Sequence, residues 1–401
     1  MDKFPDEILL MIFEWLPAHE VCAGVARVCR RWARVARRRA LSLRHARHLK
    51  RLRHRPRAVL AAARLPEPNV LFRSLELLAP CLKELSIHAE MPLSDDELRI
   101  LARLPHLRHL DVFARSRFLG SSFLPVAKRL GSLVVNENVT RGVFHALASP
   151  ACLHALHMYG RSLHYPRRDL LFLLHASVNQ LCELTLRCNE LTDAVYEVIS
   201  TCTNLKTLQL YSCWLMTRTG AMYLTHLKQL RCLHITGARM VRNRALAALI
   251  HGLPQTIEEL VLSASWFSDE HIPALIEKLP GLHVLELWRC RASADGLTEL
   301  VTSLPVLEQF DTDMMLGSHN EHIIAVHPSL KTVRCRLDTT STKMKSGNEQ
   351  VKYLAADAKY LNAVLRGDGE GYRADLFYYW TQRVPLETLP QSSKSWGQPY
   401  S

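Results

Sequence analysis

The chain has 401 residues, of which 48% are hydrophobic and 22% charged, and this ordinary globular usage excludes a wholly disordered protein. No apolar run reaches the length of a membrane span, and the first residues lack the basic start and apolar core of a secretory signal, so we expect neither. The cysteines number eleven and form no CxxC pair, which favours reduced thiols in the cytoplasm or the nucleus.

Residues 4–17 predict a short helix near the start of the chain. Pro5 suits the first helical position, and Asp6 and Glu7 suit the positive end of the helix dipole. The large apolar residues of one helical face are Ile8, Leu9, Ile12, Phe13 and Leu16. A segment of about forty residues buries a poor core. We therefore expect either a small helical cap with its own interior or a unit that another polypeptide completes.

The formal net charge of +13 is concentrated in one segment. Between Val21 and Pro66 there are 15 Lys or Arg residues and no acidic residue. The segment is typical of a solvated arginine-rich helix face and linker, or of a patch for nuclear import or an acidic partner, with Lys50 to Arg55 as its densest run. Trp32 is its only aromatic residue, so base stacking is poorly supported and we do not expect nucleic-acid binding.

A repeat of the form LxxLxL dominates the remainder of the chain. Its spacing runs from 23 to 28 residues, and its first residues are Leu82, Leu107, Leu130, Leu153, Leu181, Leu205, Leu230, Ile257, Leu282, Leu307 and Leu330. This pattern resembles the leucine-rich repeat, whose period is roughly 20 to 29 residues. The ninth position, often Asn or Cys in that family, holds Asn138, Asn189, Cys213 and Cys290. Helices with Ser or Thr caps are predicted at 94–104, 192–200, 268–279 and 293–304.

The repeat predicts an α/β solenoid, a leucine-rich-repeat arc of about eleven repeats with strands on its concave wall. The three leucines of each repeat point inward, so stacked repeats share one continuous core. The seventh position should face outward from the concave wall, and the substrate-binding candidates there and next to it are Phe113, Tyr159, Arg187, Tyr211, Trp288 and Arg289. Trp214 and Trp266, just past their strands, could border them. Alternatively, these large side chains only cover one another.

Three blocks near the start of the chain resemble the F-box. They are Phe4 to Leu9 for the LPxEIL start, Ile12 to Leu16 for IFxxL, and Val28 to Trp32 for VCRxW. Phe4 and Val21 stand where Leu is commoner in the family. The resemblance implies a small all-α domain preceding the repeats. Combined with those repeats, it resembles the F-box leucine-rich-repeat family.

The resemblance implies the substrate-recognition subunit of a Skp–cullin–F-box ubiquitin ligase, which is not itself an enzyme. The F-box would dock on the Skp adaptor and through it on a cullin, and the repeats would bind one or more protein substrates. The residues that the resemblance assigns to adaptor binding are Pro5, Ile8, Leu9, Ile12, Phe13, Leu16, Val28 and Trp32. The alternative is a non-catalytic interaction scaffold, nuclear or RNA-associated through the basic segment.

The domain boundaries follow from these patterns. We expect the F-box at 1–43, a basic linker and N-terminal cap of the solenoid at 44–80, and repeats at 81–338. A polar linker and cap, with a helix at 351–365, should occupy 339–390, and a disordered tail 391–401.

Motifs of known catalytic and cofactor sites are absent from the sequence, which has no GxxxxGK[ST], HExxH or GxSxG. We therefore expect no catalytic residue and no cofactor. Two histidine pairs, His45 with His48 and His319 with His322, lack a cysteine cluster and are better explained as solvated or packed side chains, so we expect no metal site.

Overall fold

The computed structural model describes residues 101–114, 123–135, 141–148, 152–158, 167–315 and 327–336, together with 28–29, 31–32, 84–89, 99 and 352–355. The predicted first helix, most of the basic segment and the predicted tail lie outside these residues. No helix in the described part combines the length and the apolar character that crossing a membrane requires.

In the described part, twelve parallel strands form one sheet in which each strand pairs with the next along the chain. The strands are β1 (Glu84–Ala89), β2 (His109–Ala114), β3 (Ser132–Val135), β4 (Ala155–Met158), β5 (Glu183–Arg187), β6 (Thr207–Tyr211), β7 (Cys232–Thr236), β8 (Glu259–Ser263), β9 (Val284–Leu287), β10 (Gln309–Met315), β11 (Thr332–Arg336) and β12 (Lys352–Ala355). Strand order equal to chain order is the topology of a solenoid.

Helices connect the strands and lie on the opposite side of the core. The described helices are α1 (Leu124–Ala127), α2 (Arg141–Ala148), α3 (Arg167–Ala176), α4 (Asp193–Thr201), α5 (Arg218–Tyr223), α6 (Asn243–Gly252), α7 (Ile272–Lys278) and α8 (Ala294–Thr302). Short 3-10 turns follow α5 at Leu224–His226 and precede α7 at Asp269–His271. The α/β solenoid predicted from the repeat is confirmed.

The leucine spacing accounts for the position of every strand from β1 to β11. Each begins two residues after the first leucine of its repeat, as Cys232 of β7 follows Leu230. The fourth positions of neighbouring repeats then lie side by side, and Leu208 is opposite Leu233. Both side chains are fully buried. Burial of a leucine contributes roughly 1.5–3 kcal/mol, so the stacked rows of leucine supply most of the stability of the arc.

The twelfth strand corrects one prediction. The helix expected at 351–365 is wrong at Lys352–Ala355, where the chain pairs with β11 and places Tyr353 opposite Val333. Gln350, Tyr353 and Ala355 occupy the positions that leucines hold elsewhere. The sheet therefore continues past the last repeat that leucine spacing reveals.

A left-handed residue turns the chain out of the strand in four consecutive repeats. It occupies the eighth position, and its φ is +50° to +73° at Ser212, Gly237, Ala264 and Arg289. A backbone N–H at this turn then donates a hydrogen bond to the neighbouring repeat. The donor is either the left-handed residue or the residue after it, as Cys213 N donates to Thr236 O at 2.8 Å. The turn thus joins each strand end to the next strand.

The fifth repeat has a shorter turn than the repeats that follow it. Its eighth residue, Cys188, is fully buried and donates its N–H to Tyr211 O at 2.7 Å, the role that Cys213 has one repeat later. Asn189 is only half-buried. Cys213 is buried, Cys290 is half-buried, and Asn138 lies outside the described residues.

Neighbouring helices are tied by a carboxylate on the convex side. Ser293 caps α8 by accepting from Gly296 N at 3.0 Å, and its own N–H donates to Asp269 Oδ1 at 2.8 Å. Asp193 accepts from Thr217 N at 3.1 Å in the same way, three repeats earlier in the arc. Thr192, predicted as a cap, makes no side-chain capping bond.

This tie predicts that Gly296→Ala destabilises the solenoid. A Cβ at Gly296 would lie 2.4 Å from Asp269 Oδ1 and 2.9 Å from Ile272 Cδ1. Asp269 can move away only by losing its bond to Ser293 N. We expect a loss of roughly 1–3 kcal/mol in the free energy of unfolding, although Ala is the better helix former by about 1 kcal/mol.

Denaturant unfolding of the purified chain measures this change. Gly281→Ala is the matched control, since a Cβ there meets no atom within 4 Å, and it should stay within about 0.5 kcal/mol of the wild type. If the Gly296→Ala chain is as stable as the wild type, Asp269 can move away from the new Cβ without a loss in the free energy of unfolding.

Candidate binding surface

Strand alternation separates the core of each repeat from its concave face. In β7, Leu233 and Ile235 are buried in the core, so Cys232, His234 and Thr236 lie on the concave side. Because neighbouring strands pair in parallel and in register, the same positions face the core in every strand. The concave wall is therefore built from rows that contain the third, fifth and seventh positions of successive repeats.

Side chains in the middle row of the wall, at the fifth position of each repeat, are hydrogen-bonded to one another. His157 Nδ1 pairs with Thr185 Oγ1 at 2.8 Å, and that hydroxyl donates to Gln209 Oε1 at 3.2 Å. The Tyr211 hydroxyl donates to the same amide oxygen at 3.2 Å. Thr185 and Gln209 are almost completely buried. Because this polar layer is buried and its hydrogen bonds are made within the sheet, a binding partner would contact mainly the residues that border the layer.

The predicted substrate-binding residues lie on this wall but differ in exposure. Arg187 and Tyr211 are register partners in β5 and β6, so the structure brings these two candidates together. Arg187 is 9% exposed and Trp288 is 8% exposed, whereas Arg289 is exposed. Arg187 and Trp288 are thus largely covered. Tyr159 and the side chain of Phe113 lie outside what the structure describes.

A row of alternating tryptophan and arginine borders the wall. The tenth positions of the sixth to ninth repeats, which we call the Trp/Arg rim, are Trp214, Arg239, Trp266 and Arg291. The Arg291 guanidinium carbon lies 3.6 Å from the centroid of the Trp266 ring, and Trp266 Nε1 donates to Arg239 O at 2.7 Å. A cation this close to an aromatic face is stabilised by the ring, so the rim is held in a defined conformation.

Exposed apolar and cationic side chains extend the Trp/Arg rim. Leu215 is 49% exposed and Met240 56%, and Trp214 itself is 49% exposed. Arg242 lies 5.7 Å from the Trp266 ring. The pKa of Arg289 is lowered, because partial burial and the nearby Arg239 together outweigh the opposite effect of Asp313. An arginine keeps its charge under such shifts, so the surface combines apolar area with positive charge.

The thiols of Cys202 and Cys213 are buried inside the arc, and that of Cys290 is half-buried. Burial raises the pKa of Cys202 to about 11, and it also raises the pKa of Cys213 and of Cys290. Tyr196 is fully buried beside Cys188 and Cys213, and that burial raises its pKa as well. Thiols in such surroundings stay protonated near neutral pH and are poor nucleophiles.

The structure also brings together three groups that could hold a metal ion. They are the thiol of Cys232, the imidazole of His234 and the carboxylate of Glu259, whose ligand atoms all lie within 4.8 Å of one another. The sequence analysis missed this set because Glu259 comes from the next repeat. The histidine pairs considered there, His45 with His48 and His319 with His322, lie outside the described residues.

Little of the predicted adaptor-binding segment is described. Val28 is 60% exposed, and the backbone N–H of Trp32 donates to Cys29 Sγ at 3.4 Å. The other residues assigned to adaptor binding, Pro5, Ile8, Leu9, Ile12, Phe13 and Leu16, lie outside the described residues.

Comparisons with known proteins address this segment and the solenoid separately. The family model described as F-box-like matches residues 1–48. A search of curated proteins found no match. Among solved structures, the chain is similar to the Rad7 and Elc1 complex of yeast, with 14% identity, a TM-score of 0.47 and 72% of each chain covered.

Two further solved structures are leucine-rich-repeat or internalin proteins of bacteria. A leucine-rich-repeat protein of Leptospira interrogans is 18% identical over 66% of this chain and 68% of its own, with a TM-score of 0.42. An internalin of Listeria monocytogenes is 13% identical over 74% of this chain and 93% of its own, also with a TM-score of 0.42. The chain thus carries an F-box-like segment at residues 1–48, followed by an α/β solenoid of leucine-spaced repeats.

Proposed function

We propose that this protein is the substrate-recognition subunit of a Skp–cullin–F-box ubiquitin ligase. The observation that carries the proposal is the presence of an F-box-like domain and a solenoid with a shaped binding surface on one chain. Such a subunit catalyses no step itself. It raises the effective concentration of a client lysine near the loaded conjugating enzyme.

The adaptor contact is proposed for the F-box-like segment. Pro5 and the apolar face that contains Leu9 would dock on the Skp adaptor, and Val28 and Trp32 would close the contact. The 60% exposure of Val28 supports this assignment, because an exposed β-branched apolar side chain gains free energy when a partner covers it.

The client contact is proposed for the Trp/Arg rim. Tryptophan and arginine are the residue types most enriched among binding hot spots, and they alternate here over four repeats. The cations around Trp266 favour a client segment that carries acidic side chains, and the exposed Leu215 and Met240 offer apolar area beside them. The covered Arg187 and Trp288 would then support the rim from the wall.

Co-purification with the Skp adaptor tests the first contact. We expect the full chain to bind the adaptor, and we expect Pro5→Ala combined with Leu9→Ala to abolish binding, since both changes remove apolar contact area. Leu215→Ala in the solenoid is the control and should bind as the wild type does. Absence of association at micromolar concentrations would instead support the scaffold alternative, and salt-sensitive RNA binding by residues 21–66 would support a nuclear or RNA-associated role.

Proteome measurements after depletion test the client contact. Proteins that accumulate on depletion should fall again when the wild-type chain is restored. We expect Arg239→Ala combined with Arg291→Ala to bind the adaptor normally but to leave those proteins elevated, since the rim loses two of its cations. Arg244→Ala, an exposed arginine in α6, is the matched control and should restore turnover. If the double variant restores full turnover, the Trp/Arg rim is not the client-binding surface.

A further inference from the structure

We propose that Cys232, His234 and Glu259 form a binding site for a zinc-like divalent metal ion on the concave wall. This inference concerns a site outside the Trp/Arg rim and does not rest on the proposed ligase function. It starts from strand register. Cys232 and His234 lie two residues apart on the same face of β7, and Glu259 of β8 is the register partner of Cys232.

The three groups converge at short range. His234 Nε2 lies 2.7 Å from Glu259 Oε1, and the ligand atoms of all three residues are within 4.8 Å of one another. The ligand atoms of a tetrahedral zinc site are about 3–4 Å apart, given bond lengths of about 2.0–2.3 Å. Small rotamer changes would therefore bring the three groups to bonding distance of one ion.

The donor set selects the class of ion. A thiolate, an imidazole and a carboxylate suit zinc and similar transition metals, whereas magnesium and calcium prefer oxygen ligands alone. Thiolate and carboxylate together balance the two positive charges of the ion. Three protein ligands leave the fourth tetrahedral position for a water molecule or for a side chain of a bound protein.

A second His–Glu pair in the same sheet provides an internal comparison. His157 of β4 lies 3.4 Å from Glu183 of β5, and the two residues occupy the same repeat positions as His234 and Glu259. The third position of the fourth repeat is Ala155, where the seventh repeat has Cys232. A His–Glu contact is thus a recurrent element of this wall, and the thiol is what distinguishes the β7 site.

The surroundings suit a bound cation. The side chain of His234 is 6% exposed and that of Glu259 is 27% exposed, so an ion would be shielded from most of the solvent. The neighbouring wall positions, Thr207 and Gln209 on β6 and Val261 on β8, carry no positive charge. All three ligands take part in further interactions within the molecule, so the ion would replace existing contacts.

Titration of the full-length chain with cobalt(II), a spectroscopic substitute for zinc, tests the proposal. We expect a thiolate-to-cobalt charge-transfer band that saturates at one equivalent and is displaced by zinc. Cys232→Ser should abolish the band. Glu259→Gln, which conserves shape, should weaken binding by at least about tenfold, which corresponds to about 1.4 kcal/mol. Affinity should rise with pH, because the thiol must lose its proton to bind.

Matched variants separate this site from other thiols and histidines. Cys182→Ser removes another half-buried thiol, directly before β5, and His157→Asn removes the histidine of the second pair. Both should bind cobalt as the wild type does. Thermal melting without metal confirms that each variant is folded. No charge-transfer band at millimolar cobalt, or an unchanged band in both Cys232→Ser and Glu259→Gln, would overturn the proposal, whatever the outcome of the adaptor and client experiments.

Discussion

The stacking of apolar rows between neighbouring repeats is the interaction on which the remainder of the structure depends. A single repeat has too few apolar side chains to enclose a core, so each one is stable only against its neighbours. Leu208, Leu233 and Leu260 come from successive repeats and are all fully buried. Their parallel, in-register pairing gives the arc its continuity, and it places equal positions of adjacent repeats about 4.8 Å apart.

This regularity turns positions in the repeat into surfaces of the protein. Residues at the fifth position, such as Thr185 and Gln209, become a hydrogen-bonded layer on the concave wall. Residues at the tenth position, beyond the left-handed turn, become the Trp/Arg rim. A binding surface therefore arises from substitutions at one position of several repeats, and the core that supports it stays unchanged.

The cysteines show how position in the repeat decides chemistry. Cys202 and Cys213 lie in the core, where burial raises the pKa of each thiol and keeps it protonated. Cys232 has the same side chain but lies on the wall, beside an imidazole and a carboxylate from the neighbouring strand. The former thiols contribute packing, whereas the latter has the neighbours that metal coordination requires.

The sequence by itself determined the repeat, its eleven strand positions, the class of fold and the F-box-like segment, because these depend on residue spacing that is read along the chain. It also placed Arg187 and Tyr211 at the same position of consecutive repeats. Tertiary structure decided the burial of Arg187 and Trp288, the shorter turn at Cys188 and the pairing of β12, for which leucine spacing provides no pattern. It alone brought Glu259 to Cys232 and Arg291 to Trp266. Contacts between repeats depend on turn length and strand register across about 25 residues, and spacing within one repeat does not specify either.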